Sequence, residues 1–526
     1  MSKTGSLFAE VVRLSERFPI LLLAGWAILY LPRPFVLGLY VDDWWYLVEP
    51  LHATAPFSWD RLHYFAGFGT GPRPLQGLTR FLVASIAGPS PVAIQFISTL
   101  FVLAAALSLR SWLNRMLSVF PLYRNVAGDF AVIFWLAMPW MLGETAWPTQ
   151  VYTLGAQILF TEVARLLLVR ERLTTGLAAL VTVGIVGSSL FYEAFYFAIL
   201  PVVLFYFSVG RGPAKTRRGL AALAGICCLA QAIPIAYNRY CAYMGAGPTK
   251  HFNPQWLQWA VGNLLALPNA LRGSFPEFRL LGLLLAFLLV ACAWFLWARG
   301  RHAESERLFR AYLLGLMSVA IATLALSNAI YSAAGYGLAS LGIGSRTFYA
   351  ASLSFTVAFF ALICAAFIPG ARAAKVVLLA ASSGLVLVLA LAQHHRVQEW
   401  GYVWREELRI LQGAPLDEIG RLPVQAAILY AGPYQYHGML IFGVEWDLTA
   451  AVASRSPLNE NRRPFENLHA IYPAGDEFTW SWDGTTLWRK QSGSPAQPFP
   501  VKQLYLWRQG AAGLQPVAHG FHWPPG

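Results

Sequence analysis

The sequence predicts a polytopic α-helical membrane protein of about eleven spans, followed by a small extracytoplasmic mixed α/β domain. Three observations lead there. Of the 526 residues, 57% are hydrophobic and only 12% are charged, roughly half the charge content of a soluble domain. Apolar stretches of the length needed to cross about 30 Å of hydrocarbon recur throughout residues 1–395. From about His394 onward charges, Pro and Gly become frequent and no spanning stretch follows, which sets residues 396–526 apart.

The spans are expected near 18–37, 91–109, 127–143, 150–168, 173–191, 195–209, 219–237, 279–298, 311–330, 347–368 and 375–393. The first follows Arg13 and Arg17 as a signal peptide would, but it runs into Tyr40-Val-Asp-Asp with no small-residue cleavage site, so it is read as a retained helix. Every second connection is basic. With the N-terminus cytoplasmic, the inner connections hold Arg110, Arg115 and Arg124, then Arg165, Arg170 and Arg172, then Arg211, Lys215, Arg217 and Arg218, then Arg299, Arg301, Arg307 and Arg310, and last Arg372 and Lys375. The connections at 144–149 and 192–194 contain no Lys or Arg. This alternation is the positive-inside pattern, and it places the C-terminal domain outside.

The net charge of +13 is therefore distributed as cytoplasmic loops distribute it, and nucleic acid is not expected as a partner. Cys227, Cys228, Cys292 and Cys364 lie inside apolar stretches and Cys241 close to one, which supports neither a disulfide framework nor a zinc site.

Two outer connections are long. Residues 38–90 are expected to form short interfacial helices with Trp44, Trp45, Trp59 and Tyr64 at headgroup level. Residues 238–278 carry Lys250, His251 and Arg272, for which contact with lipid headgroups is the competing role. In the last part, Val397, Trp400, Trp404, Leu408 and Leu411 have helical spacing, Val424 to Tyr430 reads as a buried strand, and Thr479 to Trp488 reads as a hairpin about Asp483-Gly484.

The centre of interest is Tyr40-Val-Asp-Asp-Trp-Trp45, because adjacent carboxylates at a membrane boundary are costly and normally serve a cavity or a partner. Asp42 and Asp43 are the candidate base, with slight preference for Asp43; capping a helix that starts at Trp44 is the competing role. Glu144 and Glu193 fall on the same outer side and either position an acceptor or are solvated loop carboxylates. Arg346 precedes a span and either binds an anion or reaches to headgroups; Arg73, between two prolines, sits in a stiff turn.

The order of these features resembles the GT-C glycosyltransferases, and among them the protein O-mannosyltransferase group with its tetratricopeptide-tailed relatives. The stretches that carry the likeness are the Asp42-Asp43 pair, Gly71-Pro-Arg-Pro-Leu75, Gly143-Glu-Thr-Ala-Trp147 and Gly344-Ser-Arg-Thr-Phe-Tyr349, within residues 18–395. Ser345 stands where the family has an acidic residue, Gly71-Pro72 where an aromatic is common, and a small mixed domain where eukaryotic relatives have repeats. The resemblance implies an inverting transfer of a sugar from a polyprenyl-phosphate donor to a glycan, lipid or protein hydroxyl on the outer face, in a bacterial inner membrane. Asp43 or Asp42 would be the base; Arg346, Arg73, Arg272 and Lys250 would face the donor phosphate; Glu144, Glu193 and Tyr349 would position the acceptor. No nucleotide or other cofactor is required, and a divalent ion, if one takes part, has Asp42, Asp43 and Glu144 as its candidates. A polysaccharide polymerase or ligase and a lipid-linked sugar flippase or transporter are the alternatives; Gln157, Glu162, Gln231 and Asn328 inside the spans favour the last.

Overall fold

The computed structural model describes residues 19–40, 43, 44, 47, 55–67, 73–116, 124–195, 197–244, 253–273, 276–299, 304–337, 345, 347–368 and 372–412. Beyond these it describes 427–431, 435–436, 439–442, 447–448, 450–451, 469–471, 478–491, 495–500, 504–510 and 513–516. The helices are α1 (Ile20–Tyr30), α2 (Trp59–Gly67), α3 (Pro74–Ala87), α4 (Pro91–Met116), α5 (Arg124–Leu136), α6 (Leu142–Thr145), α7 (Pro148–Val151) and α8 (Leu154–Val169). They continue as α9 (Thr175–Phe191), α10 (Ile199–Ser208), α11 (Arg217–Tyr243), α12 (Trp256–Gly273), α13 (Arg279–Arg299), α14 (Glu304–Ala333), α15 (Tyr349–Cys364) and α16 (Arg372–Gln412).

Each of the eleven stretches expected to span contains helix. Among the described residues six helices are long and apolar enough to cross a membrane, or seven if the bent pair Asn125–Leu136 and Pro139–Thr145 is one span. Ile20–Phe35, Thr175–Phe191, Glu193–Ser208 and Tyr349–Cys364 are apolar but shorter. The apolar surface is sorted as a bilayer requires. α13 exposes Leu280, Leu284, Phe287 and Trp294, whereas α8 buries most of its length between α4 and α9.

The bent pair organises the interior. After Leu136 the chain turns by 63° and runs through Pro139–Met141, α6 and α7, a bent segment every residue of which is buried. A break in a buried helix frees carbonyls that water cannot reach, so other side chains must satisfy them. The Leu136 carbonyl accepts from Tyr30 Oη at 3.1 Å and from Gln393 Nε2 at 2.6 Å. Ala146 O accepts from Gln95 Nε2 at 3.0 Å, and Thr149 O from Gln76 Nε2 at 2.9 Å and an Arg80 NH2 group at 3.1 Å. Gln393→Leu is expected to destabilise the protein by about 1–3 kcal/mol by stripping the break of a donor, seen as a lower thermal midpoint in detergent.

This packing decides between alternatives at Glu144 and corrects the expectation for Trp44. Glu144 lies in α6 and is fully buried, which excludes the solvated-loop alternative. Trp44 is not at headgroup level; it is buried against Trp404 and Phe442. Trp59, by contrast, is exposed at the start of α2, and Trp45 lies outside the described residues.

α16 is 41 residues long, which is about 60 Å of helix, twice the hydrocarbon thickness. It crosses 395–396 without a break, so the pattern from Val397 to Leu411 is the helical continuation of the last apolar stretch. There it packs on the connection that follows α1: Tyr40 Oη donates to Trp400 O at 3.1 Å, and the Trp44 and Trp404 rings stack at 5.9 Å. A Cβ on Gly38 would fall 1.9 Å from the Trp404 ring, so only glycine permits this approach. Gly38→Leu is expected to expel the Trp404 indole and cost about 1–3 kcal/mol as overpacking, measured by the thermal midpoint.

Among the described residues nine strands follow. β4 (His469–Ile471), β1 (Ala427–Ala431), β8 (Leu504–Gly510) and β9 (Gly513–Pro516) form a mixed sheet in that order, parallel between β4, β1 and β8 and antiparallel between β8 and β9. β2 (Gln435–Tyr436) pairs with β3 (Met439–Leu440). β5 (Phe478–Trp482), β6 (Thr486–Gln491) and β7 (Gln497–Pro500) form a meander. Between β5 and β6 Gly484 takes φ 95°, and Asp483 accepts from the Thr485 and Thr486 amides and from Trp488 Nε1, which holds its carboxyl below the usual carboxylate range.

Candidate functional site

Asp43, Arg73, Glu144, Glu193 and Tyr349, singled out in the sequence, are linked around the buried bend between α5 and α8. α7 begins with Pro148, and the side chain of its N-cap residue, Trp147, makes no capping bond. The amide of Thr149, one of the donors a helix start leaves orphaned, is instead taken across the chain by Asp43 Oδ1 at 2.8 Å. Asp43 Oδ2 accepts the Tyr40 amide, also at 2.8 Å, and the side chain is fully buried. Asp43 thus fastens the connection that follows α1 to the buried bend, each of its oxygens accepting one backbone amide. Gln95 ties the same two segments by donating to Gly38 O and Ala146 O.

Glu144 lies one turn away, its Oε2 accepting from Thr153 Oγ1 at 2.6 Å. The Thr153 carbonyl accepts from Tyr349 Oη at 3.2 Å, which brings the start of α15 to the same place. Gly143 N donates to Ser345 Oγ at 2.9 Å, a second tie between the motif stretches around 143 and 345.

Arg73 and Glu193, 120 residues apart, form a bidentate pair: Nε donates to Oε2 at 2.7 Å and an NH2 group to Oε1 at 2.6 Å. The Arg73 guanidinium also lies over the Tyr192 ring, 4.6 Å from its centroid. Tyr192 in turn contacts Tyr349 at 6.0 Å between ring centroids, and its hydroxyl lies 3.4 Å from that of Tyr331. The contacts therefore lead from Asp43 to Thr149, along the backbone of the bend to Thr153, and on through Tyr349 and Tyr192 to Arg73 and Glu193. Arg73 is neutralised by Glu193 here, so an anion would have to compete for it.

The other candidates are placed differently. Arg272 is exposed near the end of α12 and takes no part in the contacts above. Asp42, Arg346, Lys250 and His251 lie outside the described residues. Among the described residues no group of three or more His, Cys, Asp or Glu side chains is disposed to hold a metal ion.

Three polar residues at the site were not singled out from the sequence. Gln95 is an ordinary polar residue on α4 until its carbonyl partners are known. Glu407, on the last part of α16, is fully buried and accepts from Trp44 Nε1 at 3.3 Å. Arg33 follows α1 in a short 3-10 turn and is 1% exposed. Its Nε donates to Leu29 O at 3.0 Å, an NH1 group donates to Thr145 Oγ1 at 3.1 Å, and the guanidinium sits 3.5 Å from the Tyr30 ring centroid. Burying such a charge without an anion costs several kcal/mol. A signal for it existed: Arg33 falls inside the expected first span, and Pro32-Arg33-Pro34 repeats the pattern of Pro72-Arg73-Pro74.

No model of a known protein family and no curated protein matches this chain.

Proposed function

We propose that the chain is an integral membrane glycosyltransferase that moves a sugar from a polyprenyl-phosphate donor to an acceptor hydroxyl at the outer face. In this reading eleven segments cross a bacterial inner membrane, the N-terminus is cytoplasmic, and residues 396–526 form a periplasmic mixed α/β domain. What supports it above all is the convergence about one buried bend of Asp43, Glu144, Tyr349 and the Arg73–Glu193 pair, drawn from five separate parts of the sequence.

The acceptor oxygen must lose a proton as it attacks the anomeric carbon, and the bond from that carbon to the phosphate oxygen breaks with its electron pair left on the phosphate. Both oxygens of Asp43 already hold backbone amides, which makes it the anchor. We place the base at Asp42. Cations stabilise the departing phosphate, with Arg346 and Arg73 assigned to that task and Glu193 exchanging with the phosphate for Arg73. Tyr192, Tyr331 and Tyr349 supply aromatic faces and hydroxyls suited to a sugar ring.

The test is sugar transfer from a defined polyprenyl-phosphate-sugar in nanodiscs. Asp42→Asn is expected to bind donor as the wild type does and to turn over at least about a hundredfold more slowly, the size of a lost general base. No transfer with any donor of a reasonable panel, or an Asp42→Asn variant as fast as the wild type, would sink the reading. The bent pair favours one second reading, a flippase or transporter of lipid-linked sugars, since broken helices at mid-membrane are how such proteins build their sites. Net movement of a lipid-linked sugar across proteoliposomes without transfer would support it.

A further inference from the structure

We infer that Arg33 forms an anion site for the phosphate of a polyprenyl lipid, at the outer end of the first helix and beneath the buried bend. The identity of the lipid rests on the function proposed above; the anion site does not.

An arginine cannot shed its charge when buried, because its pKa is too high. Several other arginines that are buried or partly buried have a carboxylate beside them: Arg396 has Glu399 at 2.7 Å, Arg73 has Glu193, and Arg110 has Asp129, while the buried Arg80 donates to the Thr149 carbonyl. Arg33 has a carbonyl, a hydroxyl and a phenol ring, all neutral, and one of its NH2 groups has no acceptor. No carboxylate among the described residues pairs with it. A permanent cation in that position is stabilised when an anion arrives, and a phosphate oxygen suits the fork of donors that a guanidinium presents.

The neighbourhood fits a ligand that is polar at one end and apolar at the other. Thr145, which holds the guanidinium, belongs to the bent segment. On or against that segment Gln95 Oε1, Thr149 Oγ1 and Gln150 Oε1 are also buried without partners, acceptors available to the hydroxyls of a sugar. On the other side Ile28, Leu31 and Phe35 are exposed; Phe35, two residues from Arg33, is 81% exposed. An isoprenoid tail can lie along that apolar strip while its phosphate enters at Arg33. The guanidinium is closed off in this structure, so entry displaces the Thr145 contact.

The experiment measures binding of undecaprenyl phosphate to the full-length protein in detergent by native mass spectrometry and thermal shift. Inorganic phosphate and phosphatidylglycerol are run as separate probes. Undecaprenyl phosphate is expected to bind the wild type and raise its thermal midpoint, and to do so better than either other probe. Arg33→Met is expected to weaken binding at least tenfold with an unliganded midpoint equal to or above that of the wild type. Arg33→Lys should retain part of the affinity, and Arg217→Met, an exposed charge elsewhere, all of it. Undiminished binding by Arg33→Met overturns the inference, as does equal binding of phosphatidylglycerol or inorganic phosphate by the wild type. Should Arg33→Met not fold, Arg33→Lys and the three probes on the wild type decide. Binding that depends on Arg33 without any sugar transfer would leave the anion site standing and remove the transferase. Transfer by an enzyme whose lipid binding ignores Arg33 would do the reverse.

Discussion

Asp43→Ala is expected to destabilise the protein by about 3–5 kcal/mol, because two bonds to a charged acceptor, each worth about 1.5–3 kcal/mol, are lost together. The amides of Tyr40 and Thr149 would then be buried without acceptors, and the connection that follows α1 would come away from the buried bend. Asp43→Asn keeps one carbonyl oxygen and can satisfy only one of the two amides, so about half of that loss is expected. Thermal unfolding in detergent measures both. Activity should fall with stability in the order wild type, Asn, Ala, because the site is assembled on the joint that Asp43 makes. An Asp43→Asn variant with an unchanged midpoint and a hundredfold loss of turnover would instead make Asp43 the base and return Asp42 to a lesser role.

The parts of this architecture that are local were legible in the sequence. Apolarity and length are properties of a stretch alone, so helix occurs in every stretch expected to span. The buried bend is not local. Gly143-Glu-Thr-Ala-Trp147 has no Lys or Arg and reads as a short outer connection; only the side chains of Gln76, Arg80, Gln95, Asp43 and Ser345, from four distant parts of the chain, make its burial affordable. The pairing of Arg73 with Glu193 was equally invisible: a loop contact was one of the two roles open to Arg73 and a solvated carboxylate one of the two open to Glu193, but nothing in either stretch names the other. In α16 the polar His394-His395 looked like the end of a helix. No Pro or Gly lies between Leu385 and Trp400 to end it, and the helix runs on until Glu407 reaches the connection that follows α1.

Glu407 carries the second large effect, and its sign depends on protonation. It lies fourteen residues beyond Gln393, where the apolar stretch ends, or about 21 Å further along the helix, past its apolar part. Burial raises its carboxyl well above the usual range, and the nearby Asp43 adds to this, while bonds from Trp44 and the Phe442 amide oppose it. The folded protein therefore holds a proton on Glu407 that the unfolded chain releases above the ordinary carboxylate value. As pH rises from there toward the folded value, unfolding is increasingly favoured, by up to about 1.4 kcal/mol per pH unit. Glu407→Gln has the same shape and no proton to lose, so it should match the wild type near pH 5 and exceed it in thermal midpoint at pH 7–8. Glu407→Ala should be destabilised at every pH by about 3–5 kcal/mol, from the cavity and from the donors of Trp44 and Phe442 left unpaired. Midpoints for the three proteins between pH 5 and 8 decide the matter. If Gln is as damaging as Ala, Glu407 is ionised in the folded state and its charge, rather than its proton, holds Trp44 and the joint at Asp43 in place.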